Sequence, residues 1–215
     1  MLTDFLHVAV LCSKRAPGLD ALLRHPLRGI VYDVDCVVTS ELDLRDCGAP
    51  VVAHPIRSFY DERRAPISDR DVRRDYDAVT ATMLDCLGVD TVVLLGYLYV
   101  VTEPLLTAFP DRVLNVHDGM PAFPGLHATR DAIIAGARET HSIVHQVTDQ
   151  IDAGPLLARS RPFPVADFAI EAARAGENDI VRAYAYAQRE WMMRSAWGDL
   201  VVNALEQVAA NGVAA

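Results

Sequence analysis

Two short stretches hold the polar side chains best placed to do chemistry. In Val113-Leu114-Asn115-Val116-His117 a largely apolar run carries an amide and an imidazole two residues apart. Residues i and i+2 of a strand share a face, so Asn115 and His117 offer a hydrogen-bond donor and a titratable ring to one side. Further along, Ile151-Asp152-Ala153-Gly154-Pro155 sets a carboxylate ahead of a tight turn. An amide, an imidazole and a carboxylate gathered at one place can stabilise an oxyanion and move a proton, with neither a metal nor a covalent nucleophile. Each group also has an ordinary reading. His117, followed by Asp118-Gly119, suits a strand-end or capping histidine equally well, and Asn115 could simply satisfy a strand end. On spacing alone Asp152 fits turn chemistry better, and Asp149 competes for its role. His127 reads as structural at a helix start, His141 as a loop residue facing water, and His145 as a hydrogen-bonded histidine of the core or behind the site.

These groups need strands to present them. Leu6 to Cys12 is a near-continuous apolar run of strand length, as in a parallel strand buried on both faces. Ser13-Lys14-Arg15-Ala16-Pro17-Gly18 is the turn after it, and Leu19, Leu22 and Leu23 recur at helical spacing. Asp35 to Thr39 and Val51 to Ala53 read as further strands, with a short helix from Asp43 to Cys47 between them. His54 to Ser68 reads as loop, with Pro55 and Pro66 as breakers. Asp69 to Gly88 reads as a helix capped by Asp69, with Val72, Tyr76, Val79 and Met83 on one face. Val92 to Leu95 is then the central strand. A helix from about Thr129 to Gly136, a strand within Ser142 to Thr148, a strand at Leu156 to Ser160 and a Pro-rich turn at Arg161 to Pro164 follow. The remainder is helical from about Glu177 to Val208. Strands alternating with helices predict an α/β fold with a Rossmann-like, doubly wound, mostly parallel sheet, which places ligands at the carboxyl ends of its strands. Trp191, Met192, Met193 and Trp197 read as core packing ahead of the alternative, a homodimer face.

The 215 residues suffice for one well-buried domain. A net charge of −9 argues against nucleic acid or an anionic membrane as main partner, because both require a basic footprint. No stretch approaches the roughly 20 apolar residues of a membrane helix. The four cysteines form no C-x-x-C pair, so a zinc site is not indicated; Cys12 and Cys36 read as buried small hydrophobes. Free thiols and no signal-peptide pattern at the N-terminus are the expectations for a cytoplasmic protein.

Leu114-Asn115-Val116-His117, Pro124-Gly125-Leu126-His127 with Arg130, Val144 to Asp149 and Ile151-Asp152-Ala153-Gly154-Pro155 together resemble the formyltransferase family, in its glycinamide ribonucleotide branch. The likeness is strong from about Asp90 to Pro164 and faint outside it. It implies a formyltransferase fold with a C-terminal helix over residues 1–215. Residues 1–90 would be the acceptor-binding half, 91–165 the catalytic and folate-binding half, and 166–215 a helical segment. It implies 10-formyltetrahydrofolate as co-substrate, a small-molecule amine as acceptor, no metal, and an Asn-His-Asp catalytic set at Asn115, His117 and Asp152. Folate would lie along Tyr97, Leu98, Tyr99 and Val101 and against Val147, Asp149 and Ile151. Lys14, Arg15, Arg73 and Glu190 fall where the resemblance puts acceptor-binding groups.

Two departures bear on the acceptor. The family's Gly-rich first loop, which holds a substrate phosphate, is replaced by Ser13 to Gly18, with Lys14 the chain's only lysine. His117 is followed by Asp118-Gly119-Met120-Pro121, one residue shorter than the family pattern, adding a carboxylate beside the site. The acceptor is therefore open and need not be glycinamide ribonucleotide. The alternatives are a formyltetrahydrofolate hydrolase, with water as acceptor, and a non-catalytic folate-binding relative.

Overall fold

Both faces of the first apolar run are buried, and that decides the architecture. In strand β1 (Leu6–Cys12), Val8, Val10 and Cys12 point into one core while Ala9 and Leu11 point into another. A strand covered on both sides needs helices on both faces of its sheet, and the chain supplies them. In the computed structural model, which describes residues 5–41 and 47–212, β1 is followed by α1 (Leu19–Arg24), β2 (Tyr32–Thr39), β3 (Val51–Ala53), α2 (Ile56–Glu62), α3 (Arg70–Cys86), β4 (Thr91–Leu94), α4 (Glu103–Ala108) and β5 (Val113–His117). Then come α5 (Ala128–Ile134), β6 (Glu139–Thr140), β7 (Ile143–Gln146), β8 (Leu156–Arg159), β9 (Phe163–Pro164), α6 (Asp167–Ala175) and α7 (Asn178–Gly212). The helix expected from Asp43 to Cys47 falls mostly outside the described residues.

Seven strands form one sheet in the order β3-β2-β1-β4-β5-β7-β8. The pairs from β3 through β5 are parallel, whereas β5–β7 and β7–β8 are antiparallel. The sheet is thus mixed and mostly parallel, with antiparallel strands at one edge. Those strands, β7 and β8, are linked by a loop without a helix, and such a link cannot return the chain parallel. On one face, α1 and α7 cover β1 and β4, with Met193, Trp197, Leu200, Val201 and Leu205 in the core. On the other face Ala81 and Leu84 of α3 and Leu105 of α4 pack on Leu11, Val92 and Leu94. Met192, Met193 and Trp197 are buried as core, and only Trp191 of that stripe is substantially exposed, at 40%.

Four expectations need correction. The stretch from His54 to Ser68 is not all loop: α2 starts directly after Pro55, whose fixed φ suits a helix entrance. α3 is capped by Asp69, whose carboxylate accepts from the amides of Asp71 and Val72 at 3.0 and 3.1 Å. Its buried face, however, runs through Arg73, Tyr76, Asp77, Thr80 and Leu84, and Val79 is exposed. Arg73 and Asp77 pair at 2.9 Å, and Thr102 donates to Asp77 from both its amide and its hydroxyl, so two charged residues can occupy a buried stripe that hydropathy assigns to solvent. His141 does not face water; it is buried against Glu139 and the Ser160 carbonyl. The Pro-rich turn expected at Arg161 to Pro164 holds β9, which pairs with β6 ahead of β7, while α6 forms inside the segment 166–215 expected to be helical. No helix among the described residues is long and apolar enough to cross a membrane.

Candidate active site

Strand β5 lies where the parallel part of the sheet meets the antiparallel part. Leu114 and Val116 enter the core beneath α7, so pleating turns Asn115 and His117 to the opposite face. β7 runs antiparallel beside β5 with His145 directly opposite Asn115. Cross-strand partners share a face, so His145 joins the two expected groups. The chain after β7 then folds back on itself. Gly154 is pressed against the Gln146 carbonyl, where a Cβ would come within 1.9 Å of the oxygen, and Asp152 takes a left-handed conformation at φ 52°. Aspartate tolerates that region better than most residues, at a cost of about 1 kcal/mol.

The fold-back brings the carboxylate to the strand pair. Asn115 Nδ2 donates to Asp152 Oδ1 at 3.2 Å and lies 3.2 Å from His145 Nε2. His145 Nε2 is 3.4 Å from Asp152 Oδ1, and His117 Nδ1 is 3.6 Å from Asp152 Oδ2. The backbone amide of Gly125 donates to Asp152 Oδ2 at 2.8 Å. Each ring is also held from behind. His145 Nδ1 sits 2.8 Å from the Gln146 carbonyl and His117 Nε2 3.2 Å from the Phe123 carbonyl. A carbonyl only accepts, so those nitrogens carry the protons. His145 Nε2 is then free to accept from Asn115, or to donate to Asp152 when protonated.

Burial opposes ionisation of Asp152, but the hydrogen bond from His145, the Gly125 amide and the charges of His117 and His145 outweigh it. Together they hold the carboxyl at a pKa of about 2. Asp152 is therefore an anion at neutral pH, able to orient rings and accept a proton.

All three residues line one cleft of about 300 Å³, together with Tyr97, Leu98, Tyr99 and Val101 after β4 and Val147, Asp149 and Ile151 after β7. Those seven are the residues expected to touch folate. The four expected acceptor-binding residues do not line it. Lys14 is exposed on the loop after β1. Arg15 pairs with Glu190, which holds the glutamate below its usual range and the guanidinium above its own. Arg73 is buried behind the cleft wall, donating to the Tyr97 hydroxyl at 2.9 Å. Sequence reasoning left His145 behind the site and did not single out Arg189, which stands in the cleft against Asp118. The placement of His145 follows from the pairing of β7 with β5, which the sequence does not state. Among the described residues, no group of three or more histidine, cysteine and acidic side chains is placed to hold a metal ion.

Comparison with known proteins bears on this geometry. Residues 6–167 match the profile of the family described as formyl transferase. A phosphoribosylglycinamide formyltransferase of Escherichia coli strain K12 is 34% identical over 163 residues, covering 73% of this chain and 72% of that protein. The crystal structure of glycinamide ribonucleotide transformylase 1 from Symbiobacterium toebii superposes with a TM-score of 0.66 at 31% identity, over 86% of this chain and 87% of that one. A formyltetrahydrofolate deformylase of Bacillus subtilis strain 168 is 29% identical over 91 residues, 42% of this chain and 30% of that protein. With three quarters of its length matched and the mixed sheet in common, this chain belongs to the formyl transferase family.

Proposed function

We propose that the chain moves a formyl group from 10-formyltetrahydrofolate to the uncharged amine of a small-molecule acceptor, with Asn115, His117 and Asp152 as the reacting set. The observation that carries this is the meeting of the three on one face of β5 and its flanking loop, the carboxylate ionised and within 3.2 Å of the amide. The cleft suits the co-substrate. Apolar and aromatic side chains of Tyr97, Leu98, Val101, Val147 and Ile151, with the backbone that carries them, offer a flat bed for a ring system with hydrogen-bonding edges.

Attack of an amine on a formyl carbon places negative charge on the formyl oxygen. The Asn115 amide and a protonated His117 are the donors for it, each worth about 3–4 kcal/mol when preorganised. Asp152 holds the His117 ring and takes the proton that the attacking amine sheds, directly or through one water. The same set returns a proton to the departing nitrogen. His145 is a positioning residue, fixing Asn115 and Asp152 by the contacts already described. Asn115 donates to Asp152, and His117 sits between Asp152 and the Phe123 carbonyl, so the reacting oxygen must take the place of one contact of each donor.

The test is to incubate the chain with 10-formyltetrahydrofolate and a panel of amines, following tetrahydrofolate release. Acceptor-dependent release that Asn115→Ala and Asp152→Asn abolish supports the assignment; full activity in either variant ends it. Hydrolysis is the second reading, favoured by the similarity to the Bacillus subtilis deformylase. It requires formate release with no amine present.

A further inference from the structure

The stretch from Gly96 to Thr102 joins β4 to α4 with no strand or helix of its own, and Gly96 through Val101 all line the cleft. Burial does little to hold its middle, where Leu98 and Val100 are 50% and 61% exposed. A segment with few buried apolar contacts and no backbone ladder should be mobile. A mobile wall must be ordered each time a ligand docks against it, and that ordering weakens binding.

Polar contacts fix the wall instead, and those at its two ends converge on one buried pair. Arg73 and Asp77, one turn apart on α3, are 9% and 1% exposed and lie 2.9 Å apart. At the first end Arg73 Nη2 donates to the Tyr97 hydroxyl at 2.9 Å, and the guanidinium carbon lies 5.7 Å from the ring centres of both Tyr97 and Tyr99. At the far end Asp77 Oδ2 accepts from the Thr102 amide at 2.7 Å and from its hydroxyl at 2.6 Å. Between them the Ser13 hydroxyl accepts from the Leu98 amide at 3.0 Å. As a source of stability the ion pair is poor. Arg73 Nε and Nη1 are buried with no hydrogen-bond partner among the described residues, and a buried ion pair returns little beyond the cost of desolvating it. No residue of α3 is in the cleft lining, so neither charge touches a ligand there. What the pair does is fix where Tyr97 and Thr102 stand relative to one another.

We infer that Arg73 and Asp77 are positioning residues: together they clamp both ends of the 96–102 wall in the form that receives the co-substrate, and so govern its affinity rather than the rate of transfer. This rests on the reading of the cleft as the folate site, but its first measurement needs no ligand. Thr102→Val takes a hydroxyl from one end of the wall and Tyr97→Phe from the other. Neither separates the buried charges, so both should fold, which thermal unfolding checks. Thr107→Val, which removes an exposed hydroxyl contact with Glu103 on α4, is the control. Hydrogen–deuterium exchange of the full chain should find the amides of residues 98–101 at least fivefold faster in Thr102→Val and Tyr97→Phe, and within twofold of the unaltered chain in Thr107→Val. Unchanged exchange in both wall variants overturns the clamp. Calorimetric titration with tetrahydrofolate should show at least threefold weaker binding by Thr102→Val. Steady-state assays should show a matching rise in KM for 10-formyltetrahydrofolate, with kcat within twofold. Faster exchange without weaker binding, or a fall in kcat at unchanged KM, overturns the inference, since a merely structural role would lower kcat along with the folded fraction. Failure of the unaltered chain to bind tetrahydrofolate ends the folate reading and this inference with it. That failure is told apart from the first by exchange that still responds to Thr102→Val.

Discussion

The two arginines near the cleft, Arg73 and Arg189, show how one residue type serves opposite ends. Both have a buried nitrogen with no hydrogen-bond partner and both sit beside a buried aspartate. Arg73 is closed over. Tyr76, Tyr97 and Tyr99 each lie within 6 Å of its guanidinium carbon, ring centroid to atom, and Asp77 balances its charge. Arg189 pairs with Asp118 through Nε and reaches the cavity. The first braces the wall behind the expected folate bed; the second stands in the cleft lining itself. A cation in a sequence motif is thus uninformative until the groups covering it are known.

The same division separates the parallel core from the antiparallel edge, and variants can test it. The largest effect on stability should come from Leu11→Ala in β1, between about 2 and 5 kcal/mol in denaturant unfolding, with kcat per folded molecule unchanged. A matching loss of kcat would mean that core and site are not separable. Asn115→Ala should do the reverse, lowering kcat a hundred- to a thousandfold, about 3–4 kcal/mol in the transition state, with a far smaller loss of stability. Asp152 gives a pH signature. Its folded pKa is depressed to about 2 against about 3.9 in an unfolded chain, so its contribution is present above pH 4 and is lost as pH falls towards 2. About 2 kcal/mol of acid-dependent stability over that window should disappear in Asp152→Asn, measured by unfolding at pH 2 to 5. The smallest effect belongs to Asp69→Ala, which removes the cap of α3. It should cost about 1 kcal/mol in thermal unfolding and leave activity unaltered, since Asp69 caps the end of α3 and does not line the cleft.

The legibility of the sequence follows the same line. β1, β4 and β5 were readable because burial on both faces demands unbroken apolar runs, and Asn115 and His117 because polar residues inside such a run are conspicuous. The antiparallel return of β7 was not readable, since nothing in Ser142 to Thr148 states its direction, and with it went the role of His145. α2 was hidden by Pro55, which punctuates a loop and opens a helix equally well. The buried face of α3 was misplaced because Arg73 and Asp77 cancel each other's cost in a way that hydropathy does not count. Asp118 was visible as an added carboxylate, but its partner lies on α7, and no local pattern connects them.

The pressure of Gly154 on the Gln146 carbonyl has a practical side. With room for a hydrogen and nothing larger, position 154 is the pin on which the Asp152 carboxylate swings into register with β5. A library built on this scaffold could vary the exposed cleft residues Val100 and Leu126 with some freedom, but one that touches residue 154 would displace Asp152 before selectivity could be scored.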